Sequence, residues 1–333
     1  MNQLENRAAF TNLLNLASER IGGKALEASD DFFAEKENLL KASRSVFIPD
    51  KFTDRGKWMD GWESRRKRTP GHDWCIIRLG LPGVIHGVDI DTSHFLGNHP
   101  AYASVDACML ENPDDESSLS ESKNWTEILP RSPLAPGMQN MYTIPDNSTW
   151  THLRLNIYPD GGVARFRAYG KVTPASLNGE ENADLIALEN GGSAVACSDM
   201  FFSPMSNLIM PGKARHMGEG WESRRRRGPG HDWVILKSAK PGTVKSIEVD
   251  TSHFKGNYPD YCTIDACYSD EVLDGLNCHD ASWTQILDKQ KLSAHQQHVF
   301  SEELKDTGPF THFRLNIFPD GGVSRLRING RFV

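Results

Sequence analysis

One stretch of this chain is written twice. Residues 62–74 read WESRRKRTPGHDW and residues 221–233 read WESRRRRGPGHDW, so eleven of 13 positions recur at an offset of 159. Residues 91–100 (DTSHFLGNHP) return as 250–259 (DTSHFKGNYP) at the same offset, eight of ten identical. Residues 151–167 (THLRLNIYPDGGVARFR) return as 311–327 (THFRLNIFPDGGVSRLR) at an offset of 160, with 13 of 17 identical. A weaker pair, SDDFF at 29–33 and SDMFF at 198–202, lies at an offset of 169. The blocks keep one order in both copies, so each copy is one folding unit.

The units are expected at 1–170, a short N-terminal helix plus a β-sandwich, and at 191–333, with 171–190 as linker. Phe10, Leu13, Leu14 and Ala17 have the spacing of a short amphipathic helix. Pro174, Ser176, Asn178 and Gly179 mark the linker, and a short helical turn is expected at its end, 184–188. Within a copy, segments 75–79, 84–90, 102–109, 152–158 and 163–169 are short and rich in β-branched or aromatic residues. Pro/Gly/Asn/Asp turns separate them. Roughly eight strands per copy and no long helical pattern predict an all-β chain of two tandem jelly-roll β-sandwich domains, of the galactose-binding-domain type.

Composition narrows the classes. The 333 residues carry a formal charge of −7, a poor match to non-specific nucleic-acid binding. No segment reaches the ~20 apolar residues of a membrane span. Charges at Glu5, Arg7, Glu19 and Arg20 break any signal-peptide core. The six cysteines form no CxxC pair, and only Cys108 and Cys267 are equivalent between copies. Reduced thiols and a cytoplasmic location are therefore expected.

Polar residues repeated in both copies are the candidate site. If 154–167 is a hairpin turning at 159–162, Arg154 lies opposite Arg167 and Asn156 opposite Arg165, and in the second copy Arg314 opposite Arg327 and Asn316 opposite Arg325. Facing arginines repel unless an anion or carboxylate lies between them; an internal carboxylate partner is the alternative. In WESRR, Glu63 and Arg65 (Glu222 and Arg224) share one side of an extended strand. Lys67 and Arg68 read as a solvated basic loop. His72–Asp73 and His231–Asp232 precede a strand, and His94 and His253 follow Asp91 and Asp250. Imidazoles are the usual proton carriers near neutrality. These His and Asp residues are also compatible with a divalent metal, although their spacing matches no established motif. A turn-capping Asp and a packed His remain the bland alternative. Phe32, Phe33, Phe201 and Phe202 are expected in the core.

The blocks ASDDFFA, DGWESRR, GHDW, DTSHF with GN, and HLRLNIYPDGG together resemble the allantoicase family over nearly the whole chain. The resemblance implies two jelly-roll-like repeats, a homo-oligomer, and hydrolysis of allantoate to ureidoglycolate and urea in purine (allantoin) breakdown. On that reading Arg65, Arg154 and Arg167 suit the substrate carboxylate, Asn156, Glu63 and Asp91 its ureido groups, and His72, Asp73 and His94 the proton transfers. A non-catalytic jelly-roll binder of carbohydrate or small anions is the alternative. It predicts exposed aromatic loops without acid–base pairs. A polyanion-binding scaffold built on Arg65–Arg68 and Arg224–Arg227 is the third. The sequence leaves open whether one repeat, both, or a site between them is active.

Overall fold

The computed structural model describes residues 8–111, 119–120, 122, 124–174, 182–270, 273, 277–278 and 281–333. The chain divides into two compact units, Met1–Thr173 and Pro174–Val333, each an all-β repeat. No helix among the described residues is long and apolar enough to cross a membrane.

The first repeat is organised by one long strand. Its main strands are β1 (Lys24–Ala28), β2 (Asp73–Asp91), β3 (Tyr102–Cys108), β4 (Thr126–Pro133), β5 (Gln139–Thr143), β6 (Thr149–Tyr158) and β7 (Arg165–Val172). β2 spans the two expected segments 75–79 and 84–90 without a break. Its first half pairs with β1 and β6, and β6 continues to β3 and β4. Its second half pairs with β7 and β5. One strand thus runs through both layers of a sandwich. Alternation sends Cys75, Ile77, Val105, Ala107, Leu153, Leu155 and Ile157 inward from one layer, and Val88, Ile90, Phe166 and Ala168 from the other, all fully buried.

The second repeat has the same pattern in β8 (Ser193–Cys197), β9 (Asp232–Asp250), β10 (Tyr261–Cys267), β11 (Thr284–Lys291), β12 (Gln297–Phe300), β13 (Phe310–Phe318) and β14 (Arg325–Phe332). β9 plays the part of β2. The ten-residue difference in block spacing lies in the first repeat. There the longer segment carries a small hairpin, Phe52–Thr53 with Gly56–Lys57, and exposes Val46, Phe47, Ile48 and Phe52.

Three expectations are corrected. Residues 10–20 form no α-helix: 3-10 turns at Ala9–Asn12 and Glu19–Ile21 flank a short strand, Leu14–Asn15, that pairs with β7. Backbone pairing at the sheet edge outweighs the weak amphipathic pattern. The end of the expected linker is already part of the second sheet, since Ala183–Asp184 pairs with β14 and the turn falls at Leu188–Asn190; residues 175–181 lie outside the described residues. Phe32, Phe33, Phe201 and Phe202 are exposed. Guanidinium groups cover two of them, Arg65 over Phe32 at 5.2 Å and Arg224 over Phe201 at 4.3 Å.

Candidate functional site

Because Leu153, Leu155 and Ile157 of β6 point into the core, Arg154, Asn156 and Tyr158 stand on the opposite, outer face of its sheet. Register sets Asp106 of β3 beside Arg154, Ser104 beside Asn156 and Tyr102 beside Tyr158. Trp74 of β2 flanks Asn156 on the other side. Asp106 Oδ2 accepts from Arg154 Nε and Nη2 at 3.0 and 2.7 Å, and from Asn156 Nδ2 at 2.9 Å. Asn156 Nδ2 also donates to Ser104 Oγ at 3.1 Å, and that hydroxyl meets Tyr158 OH at 3.0 Å. His72 enters from the start of β2, with its Nε2 3.3 Å from Asn156 Oδ1 and its ring 4.6 Å from that of Tyr158. Trp125 lies 4.9 Å from the Arg154 guanidinium. The second repeat rebuilds this platform. Asp265 accepts from Arg314 at 3.0 and 2.8 Å and from Asn316 at 2.8 Å, Thr263 takes the place of Ser104, and Trp283 lies under Arg314 at 4.7 Å. His231 stacks on Phe318 at 4.7 Å.

Next to this platform, at one end of the sandwich, the WESRR and GHDW blocks meet. The buried Asp73 carboxylate accepts from Lys67 Nζ at 2.6 Å and from Ser29 Oγ at 2.9 Å. Arg65 binds Asp30 through Nε at 2.6 Å. Burial pushes the pKa of Asp30 up, but hydrogen bonds from Arg65 and from the Arg65 and Phe32 backbone outweigh it and leave the carboxyl below its ordinary range. Glu63 is half-buried and hydrogen-bonded by Asn98 Nδ2 at 2.7 Å, and burial raises its carboxyl above the ordinary range. Gly161 and Gly162 permit this packing. Gly161 has φ 137°, and a Cβ on Gly162 would lie 2.0 Å from the Phe95 ring. In the second repeat Asp232 is held by Arg226 and by Ser198 at 3.0 Å, and Glu222 by Asn257. There a cavity of about 200 Å³ is lined by Ser198, Asp199, Arg224, Arg225, Arg226 and Asp232.

The remaining candidates lie elsewhere. Arg154 does not face Arg167, nor Asn156 Arg165, because β2 lies between β6 and β7 and the segment after the turn, Gly162–Val163, pairs with Trp62–Glu63 instead. The same holds for Arg314 and Arg327 and for Asn316 and Arg325, which β9 separates. Arg165 is opposite Asp91 and Arg167 opposite Asp89, on the outer side of the other layer. Both arginines are internally neutralised. Arg165 is fully buried, with Asp60 at 2.8 Å and the Asp60 and Ser43 carbonyls at 3.0 and 2.9 Å. Arg167 pairs with Asp89 at 3.1 Å and Asp91 at 3.6 Å. Arg325 donates to the Gly212 and Glu219 carbonyls, Arg327 to that of Met210, and the Asp250 carboxylate accepts from the Ser252 backbone. His94 and His253 take up left-handed backbone, φ 73° and 72°, and their Nε2 atoms meet the Ser45 and Ala214 carbonyls at 3.2 and 2.9 Å. The arrangement ties down a loop.

The divalent-metal expectation named His72, Asp73, His94 and Asp91. Among the described residues no three His, Cys, Asp or Glu side chains converge as a ligand set. Asp73 is taken by an ammonium and a hydroxyl, and Asp91 faces a guanidinium. These donors do not fit a metal. The thiols do not supply a nucleophile either. None of the six is in a disulfide, and burial pushes Cys262 up to about 12 and Cys197 and Cys267 up to about 11. Asp106, Ser104, Tyr158 and Trp125 were missed by sequence reasoning. For Ser104 and Asp106 the signal was present: SVDAC at 104–108 returns as TIDAC at 263–267.

The model of the allantoicase repeat matches residues 14–173 and again 183–333. The chain belongs to the allantoicase family. It is 50% identical over 329 residues to a probable allantoicase of Burkholderia mallei, covering 98% of this chain and 96% of that one. It is 49% identical to an allantoicase of Dictyostelium discoideum, covering 94% and 86%. The crystal structure of allantoicase from Saccharomyces cerevisiae superposes with a TM-score of 0.81 at 32% identity, over 96% of this chain and 93% of that one. The allantoicase repeat thus includes both copies of the outer-face platform and both basic end loops.

Proposed function

We propose that this chain hydrolyses allantoate to ureidoglycolate and urea, and that the chemistry takes place where the outer-face platform meets the WESRR end loop. The observation that carries this reading is the pairing, in a member of the allantoicase family, of a half-buried histidine with an Asn–Asp–Arg network in the first repeat, while the matching end loop of the second repeat lines a basic cavity. Allantoate has one central carbon bearing a carboxylate and two ureido groups. In the reaction water oxygen bonds to that carbon, one C–N bond breaks with its electron pair going to nitrogen, and a water proton ends on the departing urea. No electrons are exchanged with a cofactor. His72 is the group placed to accept and return that proton, since an imidazole works in both directions near neutral pH. Arg65 and Arg66, and in the second repeat Arg224 and Arg225 on the cavity wall, supply guanidinium forks for the carboxylate. Asn156 and Arg154, immobilised by Asp106, present fixed polar groups to a ureido arm. Lys67 and Ser29 hold Asp73 behind His72.

Six cysteines outside any disulfide support a reducing, cytoplasmic setting. The exposed apolar side chains Val46, Phe47, Ile48 and Phe52 support a homo-oligomer. Neither a nucleic acid nor a membrane belongs to this reading. Incubating the purified chain with allantoate and measuring urea tests it. Urea release is expected, and its absence rejects the reading.

A further inference from the structure

The two platforms are not equivalent. Resting on the function proposed above, we infer that turnover is confined to the first repeat, where Asn156 fixes the protonation of His72, and that the second repeat binds a ureido-carboxylate without hydrolysing it.

The argument begins at Asp106. A carboxylate held by a guanidinium only accepts hydrogen bonds, so the Asn156 atom at 2.9 Å from it is the amide nitrogen. The same nitrogen donates to Ser104 Oγ. The amide oxygen is thereby turned toward His72 Nε2. An amide oxygen donates nothing, so Nε2 carries the proton and Nδ1 keeps the lone pair. The Tyr158 ring fixes the plane of the imidazole, and its hydroxyl closes the network on Ser104. A histidine so held offers one defined base. Nδ1 takes a proton from water as the oxygen bonds to the central carbon. It returns that proton to the nitrogen that leaves with the C–N electron pair.

The second repeat keeps the anchor and loses the setting. Asn316 is held by Thr263 at 3.0 Å and Asp265 at 2.8 Å. Phe318 stands where Tyr158 stands and has no hydroxyl for Thr263. Among the described residues no hydrogen bond links Asn316 Oδ1 to His231, whose ring contact is with Phe318. Among the described residues no acceptor selects one tautomer of His231. The binding features remain: Arg314 on Trp283 and the basic cavity bounded by Arg224, Arg225 and Arg226. A small planar amide bearing a carboxylate matches both.

Four measurements on the full chain test this. Tyr158→Phe installs the residue that the second repeat already accommodates, so the fold tolerates it. We expect kcat to fall roughly tenfold or more with KM nearly unchanged; an unchanged kcat overturns the inference. Two independent, equally active repeats would leave about half of the turnover in His72→Gln, whereas confinement to the first repeat leaves only a few per cent. Half or more remaining overturns it. Calorimetric titration of His72→Gln with allantoate is expected to show binding at the second repeat that Arg314→Met weakens; no binding overturns it. Ring ¹⁵N spectra should show a single Nε2–H tautomer for His72, mixed in Asn156→Leu, and a mixture already in the parent chain overturns it. Wild-type chain that releases no urea rejects the proposed function instead, so the two failures are distinguishable.

Discussion

Asp106 grips Arg154 through two nitrogens of one guanidinium, at 3.0 and 2.7 Å, and Asp265 grips Arg314 at 3.0 and 2.8 Å. Charge-assisted contacts of this kind position a side chain more firmly than neutral ones. Asp106→Asn keeps the size of the residue and removes the charge. Urea-release kinetics are expected to show kcat/KM lower by roughly tenfold to a hundredfold, because Arg154 and Asn156 lose their common anchor. Wild-type kinetics in this variant would mean that the network has no part in the reaction.

Asp60→Asn tests the other layer. Arg165 is fully buried, and the Asp60 carboxylate meets it at 2.8 Å. An uncompensated buried guanidinium costs about 3–5 kcal/mol. Urea denaturation should show a loss of that order, with a midpoint shift and little change in slope.

Stability should fall on mild acidification because of His312. Burial, then the nearby Lys237 charge, depresses this histidine from 6.5 to about 4, and its Nε2 is buried without a hydrogen-bond partner among the described residues. The folded state therefore binds the proton less readily than the unfolded one. This contribution is complete above pH 6.5 and is lost as pH falls toward about 4. His312→Gln should flatten that part of the profile, an effect of at most about 3 kcal/mol.

Asp89 titrates with the opposite sign. Burial raises it from 3.8 to about 6 against the attraction of Arg167, with repulsion from Asp91 adding to the rise. Its contribution is complete below about 3.8 and is lost as pH rises through about 6. Denaturation midpoints of Asp89→Asn across that window should lack this decline, and an unaltered profile would count against the assignment.

Gly162→Ala should unsettle the end of the sandwich. The new methyl would lie 2.0 Å from Phe95, and both partners are buried. Overpacking costs about 1–3 kcal/mol or more, readable as a lower thermal midpoint.

Much of this was legible in the chain. The duplication located both repeats, and alternation in His152–Tyr158 put Leu153, Leu155 and Ile157 on the core face and Arg154 and Asn156 on the opposite face, as the structure has them. What local pattern could not reveal was the neighbour. A PDGG turn between two strands reads as a hairpin, yet Asp73–Asp91, some 80 residues earlier, inserts between them, and only long-range pairing decides this. Consequently Arg165 and Arg167 moved from the expected pocket to buried ion pairs. The two phenylalanine pairs were misread for a related reason. Their hydrophobicity is spent on stacking beneath arginines in end loops, which no periodicity announces.

The strand Asp73–Asp91 belongs to both layers of its repeat. Melting one layer therefore tears hydrogen bonds from a backbone that the other still needs, so neither layer has a stable existence by itself. Each repeat should lose structure in a single step, and a protease cut near Pro82 should dismantle the whole repeat rather than free one half of it.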